Sequence, residues 1–163
     1  MATVKEAAAR HIAAFNQKDL DEFAANEDAS IQFVIPGDVM MRGRDQVRSF
    51  MTLFWEAFPD ITISVNHQVT SGDTVVTEST YQGTHSGTWR TPNGDVPATG
   101  RTIRGRQVSI QRVRKGLIVS EHLYFDQLEL LGALGLVPQV PQPNALTAGT
   151  GSPGAISIAA SEA

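Results

Sequence analysis

The sequence predicts an α+β fold in which helices come first, a meander of antiparallel strands follows and a small helix ends the domain. Apolar residues recur at helical spacing up to about Phe58, whereas from Ile61 onward they alternate with polar residues with a period of two. The length of 163 residues and the 41% of hydrophobic residues are typical of one globular domain with a sizeable core.

Three helices are predicted in the first part of the chain. Thr3 and Glu6 form a capping-box pattern, and the helix that they open is expected to end near Asn16. A short second helix follows Asp19. The third helix is expected over residues 45–57, because its apolar residues keep the three-and-four spacing up to a proline.

The strands are predicted from alternating apolar residues and from the turn residues between them. A short strand over residues 31–35 separates the second and third helices. The meander is expected to contain the segments 61–69, 74–83, 102–114 and 117–125. Asp126 and Glu129 repeat the capping-box pattern and open a last amphipathic helix that ends near Gly135.

The composition changes after Pro138. Pro, Gly, Ser, Thr and Ala dominate this segment, and Glu162 is its only charged residue. We therefore expect a folded domain over residues 1–138 and a low-complexity tail over residues 139–163, which is mobile or lies on a partner subunit.

Composition also excludes several classes of function. Without cysteine the chain forms no disulfide, thiolate nucleophile or Cys-ligated metal centre. Its net charge of −4 argues against nucleic-acid binding, and no apolar segment is long enough for a signal peptide or a membrane span. The four histidines do not have metal-ligand spacing. We expect a soluble, cytoplasmic protein without metal, cofactor, nucleic-acid or membrane partner.

Seven short segments carry a family resemblance in their order and spacing: 14–16, 43–45, 57–60, 83–87, 97–100, 124–128 and 132–135. They resemble the SnoaL-like polyketide cyclase family, which belongs to the nuclear-transport-factor and ketosteroid-isomerase superfamily, and the resemblance covers about residues 3–138. It implies a cone-shaped, curved antiparallel sheet wrapped around the N-terminal helices. It also implies that the pocket between them holds a small hydrophobic molecule, such as a polycyclic one.

The resemblance further implies where acid/base groups would stand. In the cyclases, the acid/base is an aspartate near the start of the last strand, assisted by a histidine on the preceding long strand. The matching positions here are Leu123 and Ser109, so neither group is kept. The polar residue two positions before the aspartate corresponds to Glu121.

Three residues are therefore candidates for acid/base catalysis. Glu121 has the same parity as Leu123 and is expected to face the pocket, unless it pairs with an arginine such as Arg101 or Arg104 or lies at a solvated rim. His67 is in phase with an apolar strand face, and a histidine in that position either relays protons or is a core residue. His85 ends a strand among glycines that would let a ligand or a loop come close, so it either lines the pocket or is only a packed residue.

The expected substrate-binding residues lie on the apolar helix faces and the inward side of the strands: Phe15, Phe33, Trp55, Tyr81, Gln107, Ser109 and Leu123. A cofactor-independent enzyme with such a pocket would catalyse isomerisation, aldol-type cyclisation, dehydration or epoxide opening. The alternative is a non-catalytic binding protein, because Leu123 replaces the family's aspartate. A homodimer is expected through the outer sheet face that carries Arg104, Arg106, Arg112 and Arg114.

Overall fold

Two N-terminal helices begin the fold in the computed structural model, which describes residues 2–91 and 94–137. Helix α1 (Val4–Gln17) has the predicted capping box, since the Thr3 hydroxyl accepts from Glu6 N and the Glu6 carboxylate accepts from Thr3 N. Helix α2 (Leu20–Ala25) begins after Asp19, as predicted. The expected tail, residues 139–163, lies outside the described residues.

The remaining elements follow the predicted order, with additions. They are β1 (Glu27–Ile35), β2 (Val39–Arg42), α3 (Arg44–Ala57), β3 (Thr62–Ser71), β4 (Thr74–Thr84), β5 (Trp89–Thr91), β6 (Gly94–Val96), β7 (Thr102–Arg114), β8 (Leu117–Phe125) and α4 (Gln127–Ala133). The short strands β2, β5 and β6 were not predicted, and β1 begins four residues earlier than expected. Asp126 caps α4, because its carboxylate accepts from the backbone of Leu128 and Glu129.

Six strands form one curved sheet in the order β2-β1-β8-β7-β4-β3, and β5 pairs with β6. The α+β class and the curved sheet are thus confirmed. Strand β1 runs parallel to β8, whereas every other described strand pair is antiparallel, so the sheet is mixed.

Two bulges change which side chains face the helices. On β3, Val65 pairs with Ser79 and His67 pairs with Glu78, so Asn66 is an extra residue. On β8, Val119 is extra, because Ser120 pairs with Arg112 and Ile118 pairs with Val113. Ile118 is consequently buried. Strict alternation would have placed it on the opposite face of the strand from Glu121, which is the outer face.

Two short contacts hold the helices on the sheet. The Asn16 amide nitrogen donates to Ile63 O (2.9 Å) and its oxygen accepts from Ile63 N (2.7 Å), which attaches the end of α1 to β3. After β4 the chain approaches the end of α3 so closely that a Cβ at Gly87 would lie 1.9 Å from the carbonyl oxygen of Glu56. Among the described helices, none is long and apolar enough to cross a membrane.

Candidate active site

A cavity of about 190 Å³ lies between the inner face of the sheet and the helices. Most of its wall is apolar and aromatic, with Phe15, Phe23, Phe33, Phe50, Phe54 and Phe125 among the lining side chains. Most of the polar part of the wall comes from the neighbouring strands β4, β7 and β8 and from one residue of α1. These residues are Ser79, Gln107, Ser109, Gln111, Glu121 and His11, and Gln127 at the start of α4 also lines the cavity. A ligand would therefore meet most of the hydrogen-bonding groups on the side of these strands and mainly hydrocarbon elsewhere.

Glu121 is the anionic group of this polar wall. Its residue is 7% exposed, and it pairs across the strands with Gln111, whose amide nitrogen donates to Glu121 Oε2 at 3.0 Å. His11 Nε2 lies 3.3 Å from the same oxygen. The buried carboxylate thus has one amide partner and one imidazole partner, as a buried charge requires.

The position of His11 follows from the apolar face of α1. His11 is 4% exposed, and its ring lies against the ring of Phe23 with a centroid distance of 3.9 Å. Its Nδ1 is buried without a hydrogen-bond partner among the described residues. The tautomer with a proton on Nε2 satisfies this arrangement, because Nε2–H then donates to Glu121 and Nδ1 carries only a lone pair.

A second buried carboxyl belongs to strand β1, which pairs with β8. Glu27, the first residue of β1, is 1% exposed, and its Oε2 has no hydrogen-bond partner within the described part of the chain. Burial, and then the negative charge of Glu121, raise the pKa of Glu27 to about 8, although Arg44 acts in the opposite direction. Glu27 is therefore mostly protonated at neutral pH.

Seven of the residues expected in the site line the cavity: Glu121, Phe15, Phe33, Tyr81, Gln107, Ser109 and Leu123. Tyr81 lies over Gly105 on the neighbouring strand, where a Cβ would be 2.4 Å from the Tyr81 hydroxyl. Burial, and then the charges of Glu129 and Asp126, raise the pKa of Tyr81 to about 12, so it keeps its hydroxyl proton at neutral pH.

The inward placement expected for His67 is wrong. The bulge at Asn66 pairs His67 with Glu78, and cross-strand partners share a face, so His67 lies on the outer side of the sheet. His67 is exposed and is not among the residues that line the cavity. Without the extra residue it would pair with the buried Thr77.

Trp55 and His85 are buried but do not line the cavity, which corrects their expected placement in the site. Trp55 packs behind the lining rings of Phe15 and Phe23, each with a centroid distance of 5.7 Å. His85 stacks on Phe58 at 5.0 Å, and its Nδ1 lies 3.1 Å from Thr99 Oγ1. Burial lowers the pKa of His85, so the ring is a neutral core group.

His11 and Glu27 were missed because their sequence signals are weak. His11 is four residues after Ala7 and four before Phe15, so it belongs to the apolar face of α1. Glu27 precedes Ile31 by four residues in a strand whose start is not marked by apolar alternation. Such spacings place each residue on a buried face, but only the fold brings α1, β1 and β8 together.

The model of the SnoaL-like polyketide cyclase family matches residues 5–134. AclR, a proposed hydroxylase from Streptomyces galilaeus, is 26% identical, with a TM-score of 0.72 and coverage of 85% of each chain. IdmH, a proposed polyketide cyclase from Streptomyces antibioticus, is 27% identical, with a TM-score of 0.69 over 82% of this chain and 99% of that chain.

A third structure shares the fold. This protein of ketosteroid isomerase-like fold from Catenulispora acidiphila, solved in complex with trimethylamine, is 19% identical, with a TM-score of 0.69 over 83% of this chain and 96% of that chain. Among curated proteins, none matches the sequence significantly. Because the family model covers most of the described residues, the chain belongs to the SnoaL-like polyketide cyclase family.

Proposed function

We propose that the protein is a cofactor-independent acid/base enzyme that acts on a small hydrophobic molecule, with Glu121 and His11 as its proton-transfer groups. One observation carries this proposal. The Glu121 carboxylate lies in the wall of a largely aromatic cavity and is held there by His11 Nε2 at 3.3 Å and by Gln111 Nε2 at 3.0 Å. Oriented carboxylate and imidazole groups in a water-poor site are suited to moving a proton to and from carbon.

The reaction that this site supports best is proton transfer next to a carbonyl group. Glu121 would take the proton as the C–H bond breaks, and the electron pair of that bond would move to the carbonyl oxygen to form an enolate. Gln107 and Ser109, which line the same wall, offer hydrogen bonds to that oxygen. Return of the proton to another carbon completes an isomerisation, whereas attack of the enolate on a second carbonyl gives an aldol-type ring closure.

The family description, a polyketide cyclase, favours a polyketide as substrate, and the aromatic wall is compatible with a flat ring system. A bicyclic aryl ketone, α-tetralone, has an exchangeable C–H next to its carbonyl. In D2O, loss of its proton signal reports proton abstraction directly.

We predict that the protein accelerates this exchange and that Glu121→Gln slows it about 100-fold or more. The amide keeps the shape of the side chain but cannot accept the proton, so ketone binding should change little. The rate is measured by NMR, and binding by chemical-shift changes. Glu78→Gln, the same change on the outer side of the sheet, should leave the rate unchanged. An exchange rate that survives Glu121→Gln would contradict the proposed role.

A non-catalytic binding protein is the second candidate. It is favoured by Leu123, an apolar residue of the cavity wall at the position that corresponds to the family's aspartate. The same experiment separates the two functions. Ketone binding without any acceleration of exchange, across several aryl ketones, would support the binding protein and contradict the enzyme.

A further inference from the structure

Two polar groups of the cavity wall, the Glu121 carboxylate and the Tyr81 hydroxyl, lie far apart along strand β7. Glu121 on β8 pairs with Gln111 of β7, and Tyr81 on β4 pairs with Gly105 of the same strand. Positions 105 and 111 are six residues apart, and a strand rises about 3.3 Å per residue, so they are separated by roughly 20 Å. Since Glu121 and Tyr81 line the same cavity, the cavity is elongated, with one of them toward each end.

The hydroxyl of Tyr81 is held in a defined position at its end of the cavity. Tyr81 is 6% exposed, and its ring packs edge-on against Phe125 with a centroid distance of 6.3 Å. The hydroxyl reaches across to β7 and lies over Gly105, which leaves the space that the hydroxyl takes. A side chain at position 105 would displace it, because even a Cβ there would be 2.4 Å from the hydroxyl oxygen.

The Tyr81 hydroxyl has no hydrogen-bond partner among the described residues. It keeps its proton at neutral pH, because burial and the nearby charges of Glu129 and Asp126 raise its pKa to about 12. The amide nitrogen of Gln127, which lines the same cavity, is already used in a bond to Pro36 O at 3.2 Å. A buried tyrosine hydroxyl normally has a partner, so this one is available to donate to a ligand.

We propose that Tyr81 is a specificity-determining residue that donates a hydrogen bond to a carbonyl oxygen of the ligand at the end of the cavity away from Glu121. The substrate is accordingly an elongated aromatic molecule with an oxygen function toward each end. The ketone with the exchangeable C–H lies beside Glu121, and the second carbonyl lies at Tyr81. The proposal deepens the proposed function and rests on it for the ligand, a small hydrophobic molecule in this cavity.

The wall between the two ends fits the body of such a ligand. Phe125 pairs with Gln107 and Leu123 pairs with Ser109, so all four lie between the position of Tyr81 and that of Glu121, and all four line the cavity. The apolar pair offers a surface for aromatic rings. A neutral carbonyl is the group expected at Tyr81, because the negative charges of Asp126 and Glu129 act on this end of the cavity and oppose an anionic oxygen.

Two ketones of the same shape test this role. In 4-acetyl-4'-isopropylbiphenyl, a methyl group replaces the second carbonyl oxygen of 4,4'-diacetylbiphenyl. Calorimetric titration should show that the unmodified protein prefers the diketone, and that this preference falls about tenfold in Tyr81→Phe, because the buried carbonyl then has no donor. Tyr124→Phe, which removes the hydroxyl of the other tyrosine on the outer side of the sheet, is the matched control and should keep the full preference.

A second measurement needs no change at Tyr81. With 13C at the Cζ atoms of tyrosine, Tyr124→Phe gives a single signal, that of Tyr81, because the chain has two tyrosines. This signal should shift when the diketone binds and shift much less with the isopropyl compound, since Cζ carries the hydroxyl. Equal shifts with both ketones, or an undiminished preference in Tyr81→Phe, would overturn the proposal. Failure of both ketones to bind would also overturn it, because an elongated aromatic body must fit the cavity.

The same affinities measured in Glu121→Gln separate this proposal from the proposed function. Tyr81 acts at the other end of the cavity, so the preference for the diketone should remain in this variant. A protein that prefers the diketone through Tyr81 but does not accelerate α-tetralone exchange would contradict the acid/base function alone. A protein that accelerates exchange but shows no preference that depends on Tyr81 would contradict the role of Tyr81 alone.

Discussion

Glu27 makes the stability of the protein depend on pH. Its pKa is raised from 4.5 to about 8 by burial and by the charge of Glu121. Below about pH 4.5 the folded and unfolded chains both hold this proton. Between that pH and about 8 the unfolded chain releases it and the folded chain keeps it, so the free energy of unfolding falls as the pH rises.

We therefore predict that Glu27→Gln flattens this pH dependence. As the pH rises through this window, the unfolding free energy of the unmodified protein should fall relative to that of the variant by on the order of 1 kcal/mol per pH unit. The reason is that the Glu27 carboxyl loses a proton when the chain unfolds, whereas the amide of the variant has none to lose. Urea denaturation at a series of pH values measures the difference, with Glu78→Gln as the control. Parallel pH profiles for the unmodified protein and Glu27→Gln would show that Glu27 is not held protonated by the fold.

Among the helices and strands, the sequence predicted the bounds and the inward side chains correctly where a regular period continued to the end of the element. Strand β7 has its predicted bounds, and Gln107, Ser109 and Gln111 face the cavity as their parity indicates. Glu121 also faces the cavity, because no bulge lies between Ser120 and Phe125. Local alternation therefore predicted the part of the site that lies on uninterrupted strands.

The bulges account for what alternation could not predict. An extra residue in β3, Asn66, moves His67 outward, and another in β8, Val119, moves Ile118 inward, yet neither bulge is marked by a glycine at its centre. His11 and Glu27 are a different case. Each lies on a buried face that the sequence can suggest. The contact of His11 with Glu121 and the effect of the Glu121 charge on Glu27 join segments about 100 residues apart, and only the three-dimensional fold specifies them.

At the scale of the whole molecule, the outer face of the sheet carries apolar side chains as well as arginines. Val69, Val76 and Ile110 are in register across β3, β4 and β7, and Val69 is 50% exposed. Tyr124 on β8 is 54% exposed on the same side. An apolar strip of this kind is typical of a surface that another chain covers.

The expected homodimer would bury this strip, and a charge within it should oppose association. We predict a dimer mass for the unmodified protein in sedimentation velocity at micromolar concentration, and a shift toward monomer for Ile110→Lys. Val39→Lys, which changes an exposed apolar residue on β2, is the matched control and should leave the dimer intact. A monomeric mass for the unmodified protein at these concentrations would contradict the prediction.

The exchange of α-tetralone protons in four proteins tests the claim that Glu121 and His11 act as one acid/base unit. These are the unmodified protein, Glu121→Gln, His11→Gln and the double variant, each first shown to be folded. For residues that act as a unit, the double variant should be no slower than the slower single variant. Losses that multiply in the double variant, or a single variant with an unchanged exchange rate, would contradict the claim.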